Sequence, residues 1–278
     1  MCCLPKRYFF IFALVIAILA ESVWIVWNVR KKQNIEQASP SKGTEHSVAF
    51  SRLKRFGRDV SQFSTLRGRM RHPDADQGVD VSEHQGDIDW KSVRDDGMDF
   101  AIIRGAYRGY TEGALIEDAT FAENLKGAKA AGLKVGVYVF SQALDEAEAE
   151  EEAEFMISAL NGTELELPIY YDWEVVTGTK RADSLSGEQV TKNALAFCRA
   201  VESAGYKAGV YFNTEIAYWK YDLSELAQYE FWFARYSEIP ELFYDFTAWQ
   251  YNVEGSVAGI SGNVDLNLRF TDYNADSP

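Results

Sequence analysis

The chain has 278 residues, 47% hydrophobic and 25% charged, an ordinary globular mix that allows one large domain with extra segments or two small domains. The formal charge of −14 is uneven: residues 1–76 hold 13 Lys and Arg against 6 Asp and Glu, and the remainder holds 15 against 36. That acidic excess excludes nucleic acid as a partner of the main domain, since phosphate contacts need Lys and Arg. The three cysteines and three scattered histidines give neither a disulfide framework nor metal spacing, so no cofactor or metal is expected.

Lys6 and Arg7 precede an apolar run over 8–29, broken only by Glu21, Ser22 and Asn28. At about 1.5 Å per residue, a helix of that length crosses a hydrocarbon layer of roughly 30 Å. Trp24 and Trp27 fall where an interfacial aromatic belt would lie. An uncleaved anchor over 1–32, with a cytoplasmic tip, accounts for the whole run. A signal peptide cut after Ala20 is the alternative, and it would leave the apolar residues 23–27 exposed. The flanking charges balance, so they do not set the orientation.

Residues 33–76 read as a linker. The first part is polar. Phe50, Leu53, Phe56, Val60, Phe63 and Leu66 then recur at spacings of three and four among Arg and Lys, the pattern of a basic amphipathic helix. Such a helix would lie on an anionic membrane, pack on the main domain or stand in solvent. His72-Pro73-Asp74 breaks it and marks the expected boundary.

From residue 77 strand and helix patterns alternate. Strands are expected over 78–81, 100–104, 134–140, 167–174, 208–212, 231–234, 247–251 and 263–266. Helices are expected over 88–96, 121–131 and 145–160, and from a capping box at Ser186-Gly-Glu-Gln189 to residue 204. Each stops near a glycine. Residues 131–139 and 204–212 are near copies of one helix-to-strand turn, and 94–103 is a looser third. Alternation implies parallel βαβ units. About eight strands in roughly 200 residues imply an irregular α/β barrel of the (β/α) kind, poor in helix over its last third. A doubly wound open sheet is the alternative. No glycine-rich phosphate loop follows any strand, which argues against nucleotide binding.

The strand over 167–174 (LPIYYDWE) ends in two carboxylates. Side chains alternate along a strand, so Asp172 and Glu174 share a face with Tyr170 below them, and Trp173 faces the other way. Two acids side by side are costly to bury without a purpose. Asp80, Arg104, Tyr107, Ser141, Gln142, Asn213, Arg235, Tyr236, Gln250, Tyr251, Asp265 and Asn267 fall at the ends of other strands, the rim where a barrel carries its chemistry. Any one of them alone is better read as a surface or hydrogen-bonded core residue. Together they offer carboxylates, amides and aromatic faces with no basic cluster, which suits a neutral, hydroxyl-rich glycan.

These residues carry a resemblance. Gly78-Val-Asp-Val-Ser-Glu-His-Gln-Gly-Asp-Ile-Asp-Trp90, Phe100-Ala-Ile-Ile-Arg104, Pro168-Ile-Tyr-Tyr-Asp-Trp-Glu174, Trp232-Phe-Ala-Arg-Tyr236, Trp249-Gln-Tyr251 and Gly259-Ile-Ser-Gly-Asn-Val-Asp-Leu-Asn267 together resemble glycoside hydrolase family 25. These are lysozymes that cut peptidoglycan between N-acetylmuramic acid and N-acetylglucosamine. The resemblance covers about residues 77–271 and implies a catalytic domain over 77–273 with a short tail over 274–278. It implies Glu174 as general acid/base, Asp172 as the carboxylate that orients the substrate's N-acetyl group, and Asp80 and Asp265 as supporting acids. Arg104, Tyr107, Tyr138, Tyr170, Tyr211, Tyr236, Trp249 and Gln250 are the substrate-binding candidates. It also implies retention of configuration through attack by the substrate's own acetamido oxygen.

Two features depart from the family pattern. The stretch Arg104-Gly-Ala-Tyr107 with Arg108-Gly-Tyr110 varies in the family, and Trp173 is bulkier than the residue expected between the acids. No wall-binding repeats follow the domain; the anchor and linker would hold it near the wall instead. The expected partners are therefore peptidoglycan strands and a membrane, with the catalytic domain outside the cell and the chain a monomer. A chitinase-like family 18 enzyme would need a third acid at position 170, which is Tyr170. A membrane-tethered glycan-binding or scaffold protein with an inactive site is the non-enzymatic alternative.

Overall fold

A computed structural model of the chain describes residues 53–176 and 180–271. The apolar run over 8–29 lies outside the described residues, and among those described no helix is long and apolar enough to cross a membrane. Two short strands, β1 (Ser64–Leu66) and β2 (Arg69–Arg71), form a hairpin. Eight more close into a barrel: β3 (Ala75–Val81), β4 (Phe100–Arg108), β6 (Lys134–Ser141), β7 (Ile169–Trp173), β8 (Ala208–Asn213), β9 (Glu230–Ala234), β10 (Ala248–Gly255) and β11 (Val264–Phe270). β3 pairs with both β4 and β11, which shuts the ring. A short β5 (Leu115–Glu117) hangs on the end of β4.

Seven barrel strands run parallel, as the alternating pattern implies; β11 runs antiparallel to both neighbours. It enters by a hairpin from β10 with no helix between, and that reverses its direction. Helices over Trp90–Asp95, Phe121–Ala130, Glu146–Leu160 and Gly187–Ser203 match the expected ones within two residues, and a further short helix, Thr214–Trp219, follows β8. Gly132 and Gly205 take positive φ (79° and 87°) where the two copied turns end their helices. Ser186 does cap its helix, but Gln189 does not return the bond. Its amide donates to Glu146 Oε2 and Asn193 Oδ1 (both 2.8 Å), tying Gly187–Ser203 to Glu146–Leu160 instead.

Strand alternation divides the core. One set, including Phe100, Ile102, Tyr170, Tyr211 and Trp232, fills the barrel interior. The other, including Val135, Tyr171 and Trp173, packs outward beneath the helices. Among the described residues β9 to β11 lack covering helices, and the segment before β3 takes their place. Phe56 stacks on Phe246 at 5.2 Å, and Phe63 meets Trp249 (5.5 Å) and Phe270 (6.2 Å) edge-on. Arg58 pairs with Asp245 and covers the Phe270 ring at 4.0 Å.

This corrects two expectations. From residue 53 the amphipathic stretch is extended, with a single 3-10 turn at Val60–Gln62, and it belongs to the same compact unit as the barrel. The apolar spacing serves a strap laid across an aromatic flank rather than a helix, and the buried His72 packs against Phe63 and Phe270 instead of marking a boundary. Phe63→Ala is therefore expected to cost about 2 kcal/mol of stability in denaturant unfolding. An unchanged midpoint would mean that the strap adds nothing.

Candidate active site

The carboxyl ends of the parallel strands and the amino end of β11 ring one cavity of about 420 Å³. Alternation along β7 sends Asp172 and, just past its end, Glu174 into this cavity, while Trp173 is fully buried on the other side of the strand. Lys220 Nζ lies 5.5 Å from the centre of the Trp173 ring, so the bulky residue between the acids is absorbed by outward packing. Asp80 on β3 and Asp265 on β11 are register partners, which places a second pair of acids beside the first.

Amides hold this second pair. Asp80 Oδ2 accepts from Asn267 Nδ2 at 2.7 Å and from Gln250 Nε2 at 2.9 Å. The same Gln250 nitrogen lies 3.3 Å from Asp265 Oδ2. The orientation of both amides is set from behind. Tyr211 and Tyr236 donate to Gln250 Oε1 (2.9 and 3.1 Å), and Trp232 Nε1 donates to Asn267 Oδ1 (2.9 Å). With their oxygens occupied by donors, the amides must turn their NH2 groups to the acids.

Across the cavity stands Arg104. Its Nε donates to the fully buried Asp118 carboxylate (2.8 Å) and its Nη2 to Glu83 (3.0 Å), and its guanidinium lies over the Tyr107 ring at 5.1 Å. It is the one Lys or Arg among the residues lining the cavity.

Burial dominates the titration of Asp80, Asp172, Glu174 and Asp265. It lifts Glu174 to about 7, with help from the Asp80 charge. It lifts Asp265 to about 9, again helped by Asp80, both as a charge and as a hydrogen-bond partner. Asp80 is also raised by burial but opposed by bonds from Asn267, Gln250 and Asp265. Asp172 is raised well above the usual range by burial and then by Glu174 and Asp80, with Arg104 pulling the other way. These four neighbouring carboxyls cannot all ionise. Asp265 keeps its proton and shares it with Asp80, which carries the amide-stabilised charge. Glu174 is poised to give or take a proton near neutrality. Asp172 lines the cavity, and among the described residues its buried Oδ1 has no hydrogen-bond partner.

The sequence profile of Glycosyl hydrolases family 25 matches residues 79–260, from β3 to the turn before β11. The chain belongs to this family. An autolytic lysozyme of Clostridium acetobutylicum is 31% identical over 192 residues, covering 68% of this chain and 54% of the relative. Lysozyme M1 of Streptomyces globisporus is 31% identical over 204 residues, covering 69% and 66%. Among solved structures, the modular autolysin LytC of Streptococcus pneumoniae in complex with a synthetic peptidoglycan ligand has a TM-score of 0.64 at 28% identity, over 75% of this chain and 52% of that one. A family 25 glycosyl hydrolase of Bacillus anthracis has a TM-score of 0.61 at 26% identity, over 77% and 94%. The chain thus spans about half the length of the autolytic lysozyme and of LytC.

Within this family 25 barrel, ten of the twelve expected site residues line the cavity: Asp80, Asp172, Glu174, Asp265, Arg104, Tyr107, Tyr138, Tyr211, Tyr236 and Gln250. Two do not. Tyr170 faces inward, but one repeat too deep, fully buried in the barrel against Trp232 at 5.3 Å. Trp249 faces outward because its neighbour Gln250 faces in. It is buried beneath the strap and donates to the Arg235 carbonyl at 2.8 Å. Asn213, expected at the rim, is spent capping Thr214–Trp219, and Arg235 pairs with Glu241. The cavity also gathers Glu83, His84, Gln85, Tyr110, Phe140 and Trp232, which are additional to the expected site residues. Parity with Tyr138 would have found Phe140. The turn over Glu83–Gln85 carries no periodic signal.

Proposed function

We propose that the chain is an N-acetylmuramidase that cleaves the β-1,4 bond between N-acetylmuramic acid and N-acetylglucosamine in peptidoglycan. The observation that carries this reading is Glu174, held near neutral pKa in a glycan-sized cavity that Asp172, two residues before it on the same face of the strand, also lines. The named activities of the relatives and the peptidoglycan ligand of LytC point to the same substrate.

Glu174, protonated, donates to the glycosidic oxygen as that bond breaks. Asp172 accepts the acetamido N–H of the sugar, which directs the acetamido oxygen at the anomeric carbon. The carboxylates of Asp80 and Asp172 favour the positive charge that develops there. Glu174, now ionised, takes a proton from the water that opens the cyclic intermediate, and the configuration is retained. Tyr170 on the barrel floor leaves no third acid for a chitinase-type arrangement.

The pH profile follows from the first step. Glu174 must enter protonated, so kcat/KM is expected to fall on the alkaline side with a midpoint near its pKa of about 7. A flat profile from pH 6 to pH 9 would remove Glu174 from the acid role.

The run over 8–29, outside the described residues, serves in this proposal as a single-pass anchor, with the domain outside the membrane and acting on the wall as a monomer. Cell fractionation should place the protein in membranes, with the domain open to external protease. Recovery from the medium would favour cleavage after Ala20.

A further inference from the structure

A second charged cluster lies beside the cavity, and no step above uses it. Arg108, at the end of β4, is buried with Glu152 of the Glu146–Leu160 helix; Nε to Oε1 is 2.7 Å. Its Nη2 donates to Glu151 (2.7 Å) and to the Glu148 carbonyl (2.9 Å), and its Nη1 to the Gly113 carbonyl (2.8 Å). Arg181, in the loop after β7, sets its guanidinium on both oxygens of Glu148 (2.8 Å each) and on the Gln142 carbonyl (3.1 Å). Its backbone N–H donates to the Tyr110 carbonyl at 3.2 Å. A Cβ at Gly113 would collide with the Arg181 guanidinium, so the two loops meet closely.

A buried Arg–Glu pair is costly to desolvate and is weak evidence of added stability, so what its bonds hold in place matters more. What these bonds fix is the loop over 109–114, closed on itself by Gly109 N–H to the Ala114 carbonyl (2.8 Å). Tyr110 is the single residue of that loop that lines the cavity. Tyr110 is 41% exposed; its ring packs edge-on against Phe140 at 5.8 Å and has Lys180 Nζ 4.8 Å from its centre. Phe140 is in register with Asp172 and with Tyr107, so Tyr110, three residues further on, stands at the mouth above the acids.

We infer that Tyr110 contacts a sugar ring adjacent to the pair being cleaved, and that Arg181 is the positioning residue that holds it there. The inference rests on the glycan-cleaving reading above and extends it to a specificity-determining wall. The pyranose presents an apolar face, and an exposed phenol held against Phe140 offers a flat apolar surface to cover it.

The test separates this inference from the reading beneath it. In the full chain carrying Glu174→Gln, affinity for a tetrasaccharide and a disaccharide of alternating N-acetylglucosamine and N-acetylmuramic acid is measured by calorimetry. Tyr110→Ala is expected to weaken tetrasaccharide binding about tenfold and to leave disaccharide binding unchanged. Tyr110→Phe should bind as the parent does, and Arg181→Met should reproduce the tetrasaccharide loss with the fold intact by circular dichroism. With Glu174 restored, Tyr110→Ala and Arg181→Met should raise KM about tenfold with kcat within about twofold. Equal tetrasaccharide affinity with and without Tyr110 overturns the inference alone. Absence of glycan binding by the parent overturns the inference and the glycan reading together.

Discussion

Glu174→Gln is expected to abolish turnover of purified peptidoglycan. General acid–base catalysis by one group is worth roughly 10²- to 10⁴-fold, and in the proposed mechanism Glu174 serves in both steps, as acid and then as base. Gln fills the same volume and cannot exchange a proton. Its effect on stability has the opposite sign. The folded-state pKa of Glu174, about 7, lies above the value of about 4.3 of an unfolded glutamate. The contribution of the wild-type group is therefore fully present below about pH 4 and lost as pH rises through 7. The Gln variant should melt with the wild type near pH 4 and above it at pH 8. Activity lost together with the fold would mean that Glu174 is structural, and residual wild-type turnover would move the proton to another group.

Asp172→Asn is the second large effect. In the proposed mechanism Asp172 is the acceptor that aligns the substrate's acetamido group, and its negative charge stabilises the positive charge at the anomeric carbon. An Asn at this position is neutral and can turn an NH2 towards the acetamide N–H. Removal of one such electrostatic element costs on the order of 10²- to 10³-fold in kcat, with the sharper loss expected where the nucleophile itself goes out of line. KM should change little. A loss of less than about tenfold would argue against acetamido assistance and leave Asp172 as a bystander in the charge balance. The neighbouring acids are not equivalent to it: Asp80 is already occupied by two amide donors, and Asp265 holds its proton.

The reaction centre was legible because strand periodicity carries it. Asp172 and Glu174 share a face by alternation, and the buried Trp173 between them takes the other. The glycines that end the helices over Phe121–Ala130 and Gly187–Ser203 set the βαβ repeat that makes a barrel. The same alternation separates Gln250 from Trp249, and applying it strictly would have kept Trp249 out of the site. The strap was less legible. Its apolar residues recur at helical spacing, yet what they meet is an aromatic flank formed by Phe246, Trp249 and Phe270 from the far end of the chain. The helix-poor last third was legible, but no local pattern shows that the segment before β3 covers β9 to β11 in place of helices. The Tyr110 wall was invisible for a related reason. Its position depends on Glu148, Glu152 and Arg181, none of them near it in sequence.

The central claim is the bond that is cut. Purified peptidoglycan digested by the full chain, reduced with borohydride and separated as muropeptides, reports which sugar gained the new reducing end. The proposal predicts reduced muramic acid ends with wild type and none with Glu174→Gln. Reduced N-acetylglucosamine ends, or no soluble fragments from the folded wild type, would contradict it.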